Sequence, residues 1–135
     1  MADSDTMLLA AVAAHAGFQL TVTTLVYPAL FRAPDWDSAH AAHSRAITPL
    51  VVLVYGAVVA ASVWVLVDGV DHTGTWVALA GLTLSLAATA FRAAPLHARL
   101  SSGRDASLLS SLRHADLVRS IGAVVALAGA LMATF

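Results

Sequence analysis

Four residues able to donate, accept or ligate recur at steps of four near the start of the chain: His15, Gln19, Thr23 and Tyr27. Residues four apart share a helix face, so they form one polar stripe in an otherwise apolar stretch. Such a stripe can line a pocket or ligate metal or haem, with His15 as the ligand. It can equally supply hydrogen bonds between helices. His40 and His43 open a second stretch, followed on roughly one face by Ser44, Thr48, Tyr55 and Ser62. His97 and His114 fall at helix ends on the same side, so four imidazoles could share one layer. Imidazole suits copper, zinc and iron, which makes His40, His43 and His97 candidate metal ligands. His15 with a His of a neighbouring helix could hold haem. The competing reading is that histidines at a membrane boundary simply meet water and headgroups. A di-iron carboxylate site is disfavoured, because those bundles need Glu and the chain has none.

Arg92 follows Ala88 by four residues, and Arg119 precedes Gly122 by three. Both continue ridges of small residues, so both are expected to point inward. An inward Arg pair needs an anion or carboxylates, and Asp116 is three residues from both Arg113 and Arg119. This predicts a polar mouth for an anionic or carbonyl-bearing ligand, with Arg92, Tyr27, Tyr55, Gln19 and His114 as binding residues. The alternative is anchoring to lipid phosphates. On a helical wheel His114 falls with Ile121 and Val125, away from Arg119.

These residues must be positioned by membrane helices. The chain has 135 residues, 59% hydrophobic and 11% charged, whereas soluble domains carry about 25% charged residues. Four stretches are long enough for the roughly 20 apolar residues that a crossing requires. The expected spans are about 7–31, 38–67, 75–97 and 106–134, in a single domain. The fold class is therefore all-α, an integral membrane four-helix bundle. Asp35 or Asp37 and Asp105 are good N-caps, so helices two and four are expected to extend beyond the bilayer on one side. The N-terminal MADSD is acidic where a signal peptide is basic, and the first apolar stretch reads as a retained span.

All seven basic residues are Arg: Arg32 and Arg45 lie between spans one and two, and Arg92, Arg99, Arg104, Arg113 and Arg119 lie around the connection between three and four. Asp3, Asp5, Asp68 and Asp71 lie on the other side. The positive-inside rule puts the Arg-rich side in the cytoplasm and both termini outside, as in a multi-pass inner-membrane protein. Small residues drive helix association in lipid, and two ridges stand out: Gly74, Ala78, Gly81, Ser85, Ala88, and Gly122, Ala126, Gly129, Ala130, Ala133. Pro28, Pro49 and Pro95 can kink helices and widen a cavity. Trp36, Trp64 and Trp76 sit near span ends, where aromatic belts form. The absence of Cys excludes disulfides, thiolate nucleophiles, iron–sulfur clusters and Cys-type zinc sites.

Tyr27-Pro28, His40-x-x-His43-x-Arg45, Pro95-Leu96-His97 with Leu100 and Gly103, and a late Arg119 together resemble the anthrone-oxygenase-like group of small four-span bacterial membrane proteins, a domain-of-unknown-function family. The resemblance implies an enzyme that oxygenates a small aromatic or otherwise apolar substrate, with His40, His43, Arg45, His97 and Arg119 as candidate catalytic residues. Arg45 and His97 would orient substrate oxygens, and a His would act as general base.

Three classes of function stay open. The first is an oxidoreductase with a pocket toward the cytoplasmic leaflet, entered by apolar substrate from the lipid. The second is a haem or metal carrier. The third is a non-catalytic subunit, assembly factor or small transporter, in which a homo-oligomer would suit the small size. Transport is disfavoured because no acidic residue is expected inside a span. Nucleic acid is not an expected partner, because the Arg residues sit at a membrane boundary and are balanced by Asp.

Overall fold

The computed structural model describes residues 3–135. Four helices are long and apolar enough to cross a membrane: α1 (Ser4–Phe31), α2 (Trp36–Asp68), α3 (Thr73–Leu100) and α4 (Ala106–Thr134). The described residues contain no strand. Short turns join the helices, so neighbours in sequence run antiparallel. One end of the bundle carries the Asp68–His72 turn, and the other carries both remaining turns and the arginines.

Each start has a local cause. Asp3, Asp35 and Asp105 are extended N-caps whose carboxylates accept from the backbone N–H of Thr6, Ser38 and Leu108, satisfying donors that a helix start leaves free. Those bonds hold the carboxyls below the usual range: Asp35 through Ser38, and Asp105 through Leu108 and then the Ser107 hydroxyl. A depressed folded pKa gives stability that is present above the unfolded value of about 3.9 and is lost as pH falls through the folded one. Stability of the purified bundle is therefore expected to be flat from neutral pH to about 5 and to weaken below about 4. Asp35→Asn/Asp105→Asn should flatten that acid limb; an unchanged limb would show that the caps do not set it.

Helix ends are tied across elements. Ser4 Oγ donates to Asp68 at 2.6 Å and Thr75 Oγ1 to Asp5 at 2.9 Å, joining α1 to α2 and to α3. At the other end Trp36 Nε1 donates to the Leu100 carbonyl at 3.1 Å, and Arg104 to the Phe31 carbonyl at 2.6 Å. Both acceptors are C-terminal carbonyls without a partner in their own helix. Trp36 is thus buried in the bundle and does not belong to a headgroup belt, unlike the exposed Trp64 and Trp76.

The two small-residue ridges face each other. A Cβ on Gly81 would come within 2.5 Å of Ala126 N and 2.6 Å of Gly122 O; one on Gly74 would meet Gly129 O at 2.6 Å. The α3 and α4 backbones are in van der Waals contact there, which only glycine permits. By contrast, α2 leans mainly on α1, and between His40 and Val58 it buries no residue.

Two apolar cores result. One contains Leu8, Val12, Val58, Leu82 and Ala126 toward the Asp-bearing end, and the other Tyr27, Phe31, Trp36, Leu100 and Leu112 toward the Arg-bearing end. A buried polar layer of His15, Gln19, Ser85, Asp116, Arg119 and Ser120 separates them.

Both α1 and α3 contain one π-helical turn, Val22–Val26 and Thr89–Ala93. Each lies just ahead of a proline, Pro28 or Pro95, whose missing N–H disturbs the α-helical ladder. A π-turn inserts one residue into the helical phase. In α3 the buried series Ala78, Gly81, Ser85, Ala88 therefore continues at Ala93, five residues on. Arg92, expected inward by α-helical spacing, is exposed.

Candidate functional site

Where α2 stands away from α3 and α4, a cavity of about 400 Å³ opens at the Arg-bearing half of the bundle. Phe18, Val22, Ile47, Val51 and Val52 give it apolar walls, and Tyr27, His40, His43, His97 and Arg119 make one polar wall, with Tyr55 and Thr89 toward the bundle centre. Tyr27 and His97 reach this wall because each follows its helix's π-turn. Tyr55 bonds Thr89 at 2.9 Å, bridging α2 to α3 across the cavity.

Four residues of the polar wall form a single hydrogen-bonded chain. Arg119 Nη1 donates to Tyr27 Oη at 3.3 Å; Tyr27 Oη meets His97 Nε2 at 2.8 Å; His97 Nδ1 meets His40 Nε2 at 3.3 Å. Arginine only donates, and this orients the rest. Tyr27 accepts from Arg119 and gives its proton to His97 Nε2. His97 then carries its proton on Nδ1 and donates to His40. His43 faces the cavity with its ring 5.7 Å from His97 and 6.0 Å from Tyr27, and no described residue hydrogen-bonds its nitrogens. Trp36 stacks on His40 at 5.1 Å, closing that side.

Behind the wall, Gln19 is fully buried. Its Oε1 accepts from Arg119 Nη2 at 2.8 Å, and its Nε2 donates to Asp116 at 2.8 Å. The opposite amide orientation would set an N–H against the cation and an oxygen against the carboxylate. Asp116 lies 3.8 Å from Arg119 Nη1, so Gln19 carries much of the charge pairing. Thr23 and Ser120 complete the cluster at 2.7 Å. Asp116 belongs to α4 and is buried, so the expectation that no acidic residue lies inside a span is corrected. Arg113 does not share it; its guanidinium lies 5.0 Å over the Phe31 ring.

Several expected site residues lie elsewhere. Arg45 is exposed on α2 and does not line the cavity, because it shares a turn with His43 but points to the outer face. Arg92 is turned out by the π-turn. His114 is exposed and bonds the Ser110 carbonyl of its own helix at 2.9 Å, on a different face from Arg119. These three are not part of the polar wall.

The metal and haem expectations also change. Among the described residues no group of three or more His, Asp or Glu is arranged to hold a metal ion. The rings of His40 and His43 stack on His97 at interplanar angles of 27°, and His40 and His97 are turned to each other in a hydrogen bond. Both His97 nitrogens are already engaged. His15 is fully buried, edge-on to Tyr55 at 5.3 Å with Nε2 3.5 Å from Ser85 Oγ. It leaves no face for a porphyrin. It also precedes Tyr27 by 12 residues, about 18 Å of helix at about 1.5 Å per residue, too far to share a ligand with the His cluster.

The π-turns and the burial of Asp116 are what sequence reasoning missed; it named Asp116 as a partner for Arg113 or Arg119 but did not place it inside the span. The π-turns had only the prolines that follow them. No protein-family model matches this chain, and neither does any curated protein or solved structure.

Proposed function

We propose that this chain is a multi-pass inner-membrane enzyme, an oxidoreductase of the oxygenase class, acting on a small apolar or aromatic substrate that carries an acidic C–H or O–H next to an oxygen. The Arg-bearing end lies in the cytoplasm by the positive-inside rule, which puts the cavity in the inner leaflet. The observation that carries the reading is the cavity itself: mostly apolar in its lining, with the His, Tyr and Arg side chains gathered in it, and bounded by residues of α1, α2, α3 and α4. Its volume suits a small ligand, since binding pockets run from about 300 to 1,000 Å³.

His43 is the general base, the one imidazole of the wall whose nitrogens are not committed to the chain. Arg119, held in place by its bond to Tyr27, meets the oxygen on which negative charge develops. Burial strengthens that interaction, because no water competes. Dioxygen, itself apolar, enters from lipid and adds to the substrate carbanion, forming a C–O bond; the peroxide takes back the proton from His43 and loses water to leave a ketone. The motifs shared with the anthrone-oxygenase-like group support the same substrate class.

The test is oxygen uptake by protein in nanodiscs supplied with anthrone. His43→Ala should lower turnover by about 100-fold or more, within the usual range for a general base. Arg45→Ala and Arg92→Ala should leave it unchanged. Wild-type uptake in His43→Ala would remove the proposed base, and no uptake by wild type would remove the substrate class.

A further inference from the structure

α3 and α4 touch through glycine at the Asp-bearing end and separate toward the Arg-bearing end, where Leu96, Leu108 and Ala115 replace glycine. A second groove lies in that opening, apart from the His-lined cavity and on the far side of α3. Its upper part is apolar, with Leu84, Ala87, Ala88 and Val118; its lower part holds Arg92, Arg99, His114, Ser107 and Ser111. It contains no acid. Asp105, which feels the charge of Arg99, accepts from Leu108 N and Ser107 Oγ. Neither Arg92 nor Arg99 forms an ion pair among the described residues.

We propose that this groove binds one anionic phospholipid, its phosphate between Arg92 and Arg99 and one acyl chain along Leu84, Ala88 and Val118. Three features argue for a lipid as occupant. The polar and apolar parts are stacked along the helix axis in the order of headgroup and chain. From Leu84 to Arg99 the groove is about 22 Å long at about 1.5 Å per residue, enough for a headgroup and much of a chain. Two guanidiniums without an ion-pair partner, with the Ser111 hydroxyl beside them, match a phosphate diester, which arginine binds through paired N–H groups. The π-turn at Thr89–Ala93 is what brings Arg92 to this face; on α-helical phase it would enter the interior.

Native mass spectrometry of the full chain, titrated with dioleoylphosphatidylglycerol or dioleoylphosphatidylcholine, tests this. One phosphatidylglycerol should be retained at least about tenfold more tightly than phosphatidylcholine, a difference well within the reach of a desolvated charge pair. Arg92→Gln/Arg99→Gln should abolish the preference. Arg32→Gln/Arg45→Gln removes the same charge outside the groove and should keep it. Equal retention of the two lipids, or equal loss in both variants, would overturn the proposal. So would displacement by inorganic phosphate at millimolar concentration, which would show an anion site indifferent to the chain. All four residues are exposed, so none of the substitutions disturbs the core.

Discussion

Replacing Gly81 or Gly129 with Leu should unfold the α3–α4 pair. A Cβ at position 81 would lie 2.5 Å from a backbone nitrogen and 2.6 Å from a backbone oxygen of α4, and backbone cannot rotate aside as a side chain can. The helices must separate along most of their contact, which also loosens Ser85 and Gly122 beside the polar layer. Overpacking typically costs about 1–3 kcal/mol, and a contact between two backbones belongs at or above the top of that range. Gly56→Ala provides the contrast. Nothing lies within 4 Å of a Cβ there, so removing an interior helical glycine should stabilise by about 0.5–1 kcal/mol. Titration with sodium dodecyl sulfate, followed by circular dichroism, separates the two. Similar midpoints for Gly81→Leu and Gly56→Ala would refute the close contact as a source of stability.

The second large effect concerns Arg119. Removing it as Arg119→Leu strands the Asp116 carboxylate in a buried layer and frees Gln19 Oε1 and Tyr27 Oη from their shared donor. Breaking a buried pair in this way costs about 3–5 kcal/mol. Replacing both charges, as Arg119→Leu/Asp116→Leu, should recover most of that stability, because apolar side chains of similar size often substitute for a buried pair without loss. Binding of a carbonyl-bearing aromatic ligand should not recover, since the cation that meets the ligand oxygen would still be missing. Measuring midpoint and ligand affinity in both variants tests the division. A double variant as unstable as the single one would mean that the pair itself, with no stranded charge, holds the layer together. Restored affinity would remove Arg119 from the binding wall.

The four apolar helices, the end that gathers the arginines and the facing glycine ridges were legible because bilayer thickness and close packing write themselves into composition and spacing. The convergence of Tyr27, His40, His43, His97 and Arg119 was legible only in part. Helical spacing puts each near one level, but whether they meet depends on azimuth, and azimuth after a proline depends on whether the ladder absorbs the missing N–H as a kink or as a π-turn. Arg92 shows the cost of assuming an unbroken α-helix. Arg45 shows a different limit: membership of a polar cluster in sequence does not choose between inner and outer face when α2 touches so little. For His114 the helical wheel did choose, and it points away from Arg119 as that wheel has it. The stacking of His40 and His43 on His97 had no sequence signal.

The paired π-turns make the site sensitive to single-codon change. Each residue added to a helix rotates everything beyond it by about 100°. Tyr27 and His97 face each other only because both of their helices carry the same one-residue insertion at the same level. Deleting one residue from either turn would leave span length, hydropathy and topology intact while turning one partner toward lipid. A lineage of such proteins could therefore lose or regain this cavity's chemistry by one in-frame deletion or insertion, with the membrane bundle unaltered. Chain length between the spans and the following prolines, counted residue by residue, would then track activity better than overall identity.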